Sequence, residues 1–290
     1  MSEHATTSAR GALRVRDRVL PWGVRTYLMG IVNVSPDSFS GDGIPDAGAA
    51  AQRALAHIGH GADLIDIGAE STRPGHHPID AKTERARLIP AIRAIRAAAP
   101  DAILSVDTFK SGLFGEARAA GGDLLNSIWG APADLIAAAV EAGTPIVVMH
   151  NKAVALYERD VVDEVLTFLD DAAARCVRAG IPAEHVILDP GIGFGKLPEH
   201  SIALLGALDR LVALGFPTLV GTSRKSTIGK LTGRAVGARE FGTAATVALA
   251  VAAGIDMVRV HDVDEQGDVA RVADAIVRGW RPAGWVDRLP

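Results

Sequence analysis

Two groups of side chains in the 290-residue sequence have the types and spacing for chemistry. The first is cationic: Ser223-Arg224-Lys225-Ser226, followed further on by Arg259-Val260-His261. Arginine offers a bidentate fork and lysine a point charge, so the grouping suits a phosphate or pyrophosphate. The second is rich in acceptors: Asp107, Asn126 and Asp189. Two carboxylates and an amide suit a flat ligand that presents several N–H donors, such as an aminopyrimidinone edge. Two loops rich in Gly, Pro and Ser accompany these groups, one running on from Asn33 to Gly43 and one from Glu70 to Pro78. Such loops are candidates for lids that order over a substrate and exclude water. Asn33 supplies a neutral oxygen for Mg²⁺, which takes few protein ligands when phosphate oxygens complete its shell.

Groups so far apart in sequence need a scaffold that brings them to one place. Eight short apolar runs recur: Tyr27–Val34, Asp63–Gly68, Ile103–Thr108, Asp123–Ile128, Pro145–His150, His185–Pro190, Pro217–Thr222 and Asp256–His261. Their near-continuous hydrophobicity suits parallel strands buried on both faces. Between them lie Ala-rich stretches with helical periodicity; Val162–Val177 places its apolar residues on one face, and Asp46 can cap a helix over Ala47–His60. Gly-Ala-Asp, Gly-Gly-Asp and Gly-Ile-Asp at 61–63, 121–123 and 254–256 launch the next strand each time. This predicts an α/β fold, a single-domain (β/α)₈ TIM barrel over residues 11–290, with residues 1–10 a flexible tail. A doubly wound open sheet also alternates strand and helix, but eight regular units without a composition shift favour the closed barrel. Residues 11–26 read as a short hairpin turning at Pro21–Gly23 that closes the barrel bottom.

The barrel places functional groups at the carboxyl ends of strands. Those ends are Asn33, Asp66, Asp107, Asn126, His150, Asp189, Ser223 and the Arg259/His261 pair, a set without lysine or glutamate. Ordinary solvent-facing strand ends would include both. The loop Asp189-Pro-Gly-Ile-Gly-Phe-Gly-Lys imitates a phosphate loop, but Pro190 and Leu197 stand where glycine and Ser/Thr are needed, and Lys196 spoils the dinucleotide fingerprint. It reads instead as backbone approaching a ligand closely, with Phe194 as a stacking face. His57 and His60 read as helix surface, His76 and His77 as loop residues, and Cys176 as core.

Composition narrows the function classes. A net charge of −4 offers no field for nucleic acid or an anionic membrane, so any anion must be gripped locally. One cysteine excludes an intrachain disulfide. The longest uncharged run, Phe241–Ile255, has 15 residues, short of the ~20 that a membrane span needs. The first ten residues carry no apolar signal-peptide core, so a cytoplasmic setting is expected.

Taken in order, MGIVNVSPDSFSGDG, LIDIGAESTRPG, SVDT, LLN, VVMH, ILDPGIGFGK, VGTSRKSTIG and VRVHDV closely resemble the dihydropteroate synthases of the pterin-binding family, from about Tyr27 to Val263. The resemblance implies a (β/α)₈ homodimer and a transferase of folate biosynthesis that is a sulfonamide target. It implies that 6-hydroxymethyl-7,8-dihydropterin pyrophosphate is joined to p-aminobenzoate with release of pyrophosphate. By motif position, Asp107, Asn126 and Asp189 would hold the pterin, with Met149 and Phe194 lining it and Lys225 reaching its ring. Arg259 and His261, with Arg73 and with Asn33 through Mg²⁺, would hold the pyrophosphate. Thr72 and Pro74 would complete the p-aminobenzoate pocket beside Phe194, Lys225 and Ser226. Asn33, Asp107, Lys225, Arg259 and His261 would carry the catalysis, with C–O cleavage preceding attack by the amine.

The chain departs from the family pattern in places. Ser127 follows Asn126 where the family has Asp, and Asn151-Lys152-Ala153-Val154 replaces the usual Met-Arg/Gln-Gly after His150. Alternative readings are a methyl-transferring pterin barrel, which the SRKS and ESTRPG elements oppose, and a non-catalytic pterin-binding paralogue. A sulfonamide-insensitive version of the same enzyme is a third, set by the loops Pro36–Phe39 and Thr72–Pro78.

Overall fold

Alternate residues along a strand point to opposite faces, and in this chain both faces are apolar. The computed structural model describes residues 10–35, 43, 46–70 and 79–286. A hairpin of β1 (Ala12–Val15) and β2 (Arg18–Pro21) precedes β3 (Tyr27–Asn33), α1 (Ala47–Gly59), β4 (Leu64–Gly68), α2 (Ala81–Ala98) and β5 (Ile103–Asp107). Then come α3 (Ser111–Ala119), β6 (Leu124–Ser127), α4 (Ala133–Ala142), β7 (Ile146–Met149), α5 (Val161–Arg178) and β8 (Val186–Asp189). The chain continues with α6 (Pro198–Leu205), α7 (Leu208–Val212), β9 (Leu219–Val220), α8 (Ser226–Thr232), α9 (Glu240–Ala252), β10 (Met257–Val260) and α10 (Val263–Val277).

The eight strands β3 to β10 form one parallel sheet in the order β8-β7-β6-β5-β4-β3-β10-β9. A parallel bridge from Leu188 to Thr218 joins its two ends, so the sheet closes and the open doubly wound alternative is excluded. One set of alternate residues faces inward: Tyr27, Met29, Leu64, Ile103, Leu124, Val147, Ile187, Leu219 and Met257 form an apolar floor. Leu13, Val15, Leu20 and Trp22 of the hairpin join that floor. The hairpin therefore plugs the barrel bottom as expected. The other set, including Leu28, Ile65, Leu104, Leu125, Val148, Leu188 and Val258, packs under the helices. Cys176 lies fully buried there.

Three sequence expectations are corrected. The hairpin turns at Arg16-Asp17, because Val15 pairs with Arg18, while Pro21 and Gly23 only lead out of it. Arg16 takes the left-handed conformation (φ 55°), which no glycine or asparagine announced. Arg10, assigned to the loose tail, grips Asp256 through both guanidinium nitrogens at 2.8 Å; residues 1–9 lie outside the described residues. His57 is buried, since helical spacing puts it on the face of Ala50 and Ala54. Its Nε2 hydrogen-bonds the Ile31 carbonyl (3.0 Å), and a Cβ on Gly30 would come within 2.9 Å of its ring. His60 is exposed as expected.

The repeated Gly-X-Asp junctions prove to be one device used three times. Gly61, Gly121 and Gly254 all adopt positive φ (96°, 118° and 94°), reversing the chain out of the preceding helix. The aspartate two residues on is buried and accepts a backbone N–H from the neighbouring strand region: Asp63 from Leu28 (3.0 Å), Asp123 from Leu104 (3.0 Å) and Asp256 from Thr218 (3.0 Å). Each also pairs with an arginine, Arg25, Arg96 or Arg10 respectively. Breaking a buried pair by deleting one partner costs about 3–5 kcal/mol, whereas an exposed pair is worth ~0–1 kcal/mol. Asp123→Ala is therefore expected to lower unfolding free energy by about 3–5 kcal/mol in denaturant titration. Asp268→Ala, which removes an exposed partner of Arg271, is expected to change it by less than about 1 kcal/mol. Equal effects would reject the stapling role.

Candidate active site

The carboxyl ends of the strands carry the polar side chains, and the sheet register sets which of them meet. Asn33 pairs with Gly68, Gly68 with Asp107, and Asp107 with Asn126, so these four positions form one row across β3 to β6. Gly68 contributes no side chain to the row, and a Cβ there would lie 3.4 Å from the Asp107 side chain. Met149 and Asp189 are paired at the same end of β7 and β8, both buried. The row below it contains Asp66, paired with Ser105.

Asp66 is fully buried and surrounded by donors. Ser105 Oγ donates at 2.5 Å, Asn126 Nδ2 at 3.2 and 3.3 Å, and Arg259 Nε at 2.7 Å. The other arm of the same guanidinium reaches Asp107 Oδ2 at 3.4 Å. Arg259 thus stands between two carboxylates, in the middle of the acceptor cluster. Its sequence neighbours place it apart, in a cationic half of the site. A barrel wraps its last strand onto its first, and β10 pairs with β3, which explains the difference. Asp66 is the residue that sequence reasoning passed over as a mere strand end. Its signal was an aspartate in phase with inward-facing Leu64 inside the strand LIDIG.

These contacts orient the groups that face the mouth. With its amide N–H₂ directed at Asp66, Asn126 turns its carbonyl oxygen the other way as an acceptor. Burial, and then repulsion from Asp66, pushes the Asp107 carboxyl up, with Arg259 pulling it back. Burial likewise raises Asp189, opposed by the Gly191 N–H (2.7 Å) and by Lys225, Lys196 and Arg259. Both acids therefore sit nearer neutral pH than exposed aspartates, poised to respond to a hydrogen-bonding ligand.

The loop after β8 supplies the wall. Gly191 has φ 67°, and a Cβ there would fall 2.0 Å from the His150 carbonyl oxygen, so the backbone lies directly against the end of β7. Lys225 Nζ sits 3.8 Å from the centroid of the Phe194 ring, a cation–π contact worth about 0.5–2 kcal/mol. That contact brings together two of the residues assigned from sequence. Ser226 follows as the first residue of α8. His261 Nδ1 lies 2.9 Å from Ser223 Oγ, which also accepts the His261 backbone N–H at 3.2 Å.

Arg224 takes a different part from the one its sequence suggested. Its guanidinium pairs with Asp262 (Nε to Oδ2, 3.1 Å), and its own carbonyl accepts from Arg239 at 2.9 Å. It fastens the turn after β9 to the start of α10. Thr72, Arg73 and Pro74, with the loop Pro36–Phe39 and the pair His76–His77, lie outside the described residues.

No group of three or more His, Cys, Asp or Glu among the described residues could cage a metal ion. No helix among them is long and apolar enough to cross a membrane.

The model of the pterin binding enzymes matches residues 29–261. A dihydropteroate synthase of Clostridium beijerinckii is 41% identical over 260 residues, covering 88% of this chain and 96% of that protein. A Clostridium difficile dihydropteroate synthase solved in the presence of pteroic acid superposes with a TM-score of 0.83 at 40% identity, covering 89% of this chain and 98% of that one. The Xanthomonas albilineans enzyme solved with 4-aminobenzoic acid gives 0.86 at 39% identity, over 93% and 98%. With the barrel, the row of acceptors and the embedded arginine already described, the chain belongs to the pterin-binding enzymes, among the dihydropteroate synthases.

Proposed function

We infer that this chain is a transferase that condenses 6-hydroxymethyl-7,8-dihydropterin pyrophosphate with p-aminobenzoate, yielding 7,8-dihydropteroate and pyrophosphate. The observation that carries the reading is the guanidinium of Arg259 held between Asp66 and Asp107 beside Asn126. A fixed cation among fixed acceptors suits a substrate that is a hydrogen-bond-donating heterocycle at one end and a polyanion at the other.

In this reading the Asn126 carbonyl, Asp107 and Asp189 accept the N–H groups of the pterin, and Met149 and Phe194 line its faces. Arg259, His261 and Arg73 face the pyrophosphate. Thr72, Pro74, Phe194 and Ser226 bound the aryl amine, with Lys225 between the two substrates. The bond between the exocyclic methylene and the pyrophosphate oxygen breaks, and its electron pair leaves with the pyrophosphate. The cation left at the methylene is delocalised into the pterin, and the amine lone pair of p-aminobenzoate attacks that carbon. The extra proton on nitrogen then passes to solvent. A neutral arylamine needs no strong base, so preorganised charge and water exclusion supply the catalysis, with no covalent nucleophile.

Mg²⁺ fits the donor set as an ion carried in with the substrate. Asn33 closes the row at the end of β3 with a neutral amide oxygen, and one such ligand suffices when phosphate oxygens complete the shell. When bound, the ion would neutralise charge on the departing pyrophosphate.

A homodimer is the second part of the reading. Phe241 is 89% exposed and Leu249 62% exposed on α9, in the longest uncharged run of the sequence, and α10 beside it exposes Val272 and Ile276. An apolar helix face of this kind is better covered by a second copy than by water. The cytoplasm suits an enzyme whose substrates are small soluble metabolites.

Three outcomes are expected. Sustained turnover to dihydropteroate and pyrophosphate should require both substrates together and should fall about tenfold or more on chelation of Mg²⁺; no turnover with both substrates present would leave a non-catalytic pterin-binding protein. Arg259→Ala should lower kcat/KM by about 10²–10³, and Arg259→Lys, which keeps charge and loses the fork, should recover little of it; near-normal rates in both would reject the role. Leu249→Glu should shift the protein from dimer to monomer in sedimentation, and a monomeric wild type would reject the dimer.

A further inference from the structure

Lys196 is a cation beside the site that the mechanism leaves unused. It follows the loop from Gly191 to Gly195, and its Nζ meets three acceptors: His150 Nδ1 at 2.9 Å, the His150 carbonyl at 3.2 Å and the Phe194 carbonyl at 3.0 Å. Two of these belong to the end of β7 and one to the loop that carries the aromatic wall. An ammonium has three donors and no acceptor, so it satisfies the three together only when His150 carries its hydrogen on Nε2.

We propose that Lys196 is a positioning residue that locks the 191–196 loop onto His150 and so fixes the Phe194–Lys225 pair against the substrates. It acts through Phe194 and touches no substrate itself. The proposal rests on the reading that Phe194 and Lys225 border the aryl amine.

The surroundings favour such a lock. Burial and the nearby Lys196 and Lys152 push the His150 imidazole down to about 3, so the ring is neutral and free to accept a hydrogen bond. Burial also pushes the Lys196 ammonium down to about 7, with Asp189 raising it and Lys152 lowering it. The ring of His150 is held on its other sides by Phe168, edge-on at 4.9 Å, and by Tyr157, stacked at 6.1 Å. Tyr157 in turn donates to the Gly195 carbonyl at 2.8 Å and meets His200 edge-on at 4.9 Å. Lys152, one of the departures from the family pattern, lies 4.4 Å from the Tyr157 ring and pairs with Glu164 at 3.0 Å. The loop cannot move away from this cluster without breaking both the Lys196 and the Tyr157 bonds. It has no space to move inward, since a Cβ on Gly195 would fall 2.2 Å from the Lys152 carbonyl oxygen.

The lock depends on an N–H donor at this position, and chemical rescue separates that from mere filling of space. Lys196→Cys is treated with 2-bromoethylamine, which forms the S–C bond, releases bromide and restores an ammonium at the length of lysine. A parallel sample receives 1-iodopropane, which gives the neutral isostere. Cys176 is fully buried with its thiol pushed up to about 11, and treated wild type controls for it. The untreated variant should raise KM for p-aminobenzoate roughly tenfold or more, with a smaller change in kcat. Aminoethylation should restore it and propylation should not. Equal rescue by both reagents, or an unchanged KM, would overturn the proposal. If the cysteine variant does not fold, Lys196→Gln stands in, and an unchanged KM there is equally fatal. A direct arm needs no turnover: the ¹⁵N resonance of His150 Nδ1 should report an accepted hydrogen bond in wild type and lose it in Lys196→Met. A wild type without pyrophosphate release but with that resonance change would fault the functional reading and leave the lock intact.

Discussion

A guanidinium cannot be left in the interior of a barrel without counter-charge, and much of this site follows from how Arg259 is accommodated. Asp66 lies beneath it, fully buried, and takes the Nε hydrogen bond while Ser105 and Asn126 complete its shell. Asp107 takes the other arm. In a low-dielectric interior these charges interact by several kcal/mol, so the cation holds its place before any ligand arrives. The same arrangement orients Asn126, because donating to Asp66 leaves its carbonyl as the outward acceptor. Gly68 leaves the row open where a Cβ would lie in contact with Asp107. The site is thus a set of charges that satisfy one another from below and present their remaining valences upward.

The opposite end of the barrel uses the same interaction for a different purpose. Asp63, Asp123 and Asp256 each bind an arginine and a backbone N–H of the neighbouring strand region. Those contacts tie strand to strand where the hairpin already seals the floor with Leu13, Leu20 and Trp22. Carboxylate–arginine pairs at the amino ends stabilise, while the pair system at the carboxyl ends prepares a surface for ligand. This division follows the architecture, in which the helices return the chain to the bottom and the βα loops are left at the top.

Much of this was legible beforehand. The eight runs, the polar strand ends and the plug by residues 11–26 all reflect local patterning, which a linear reading can follow. The differences have separate physical causes. His57 looked polar and was placed on the surface, although its spacing from Ala50 and Ala54 already pointed inward. The hairpin was turned at Pro21–Gly23, because Arg16-Asp17 carries none of the usual turn residues and Arg16 simply adopts φ 55°. Arg224 stands among the anion-binding cations in sequence, whereas its pairing with Asp262 spans α8, α9 and β10.

What the sequence by itself determined was which residues lie at which end of which strand, and hence the fold and the inventory of the site. Polarity, periodicity and glycine placement are read over a few residues, and they act over the same range. The tertiary structure alone decided which charge meets which. Arg259 is 193 positions from Asp66 and 152 from Asp107, and Lys196 is 46 from His150. Such pairs come together only when closure of the barrel sets the register between strands. Whether a cation binds an incoming anion or a neighbouring carboxylate is therefore decided by ring closure, and by the need of every buried charge for a partner.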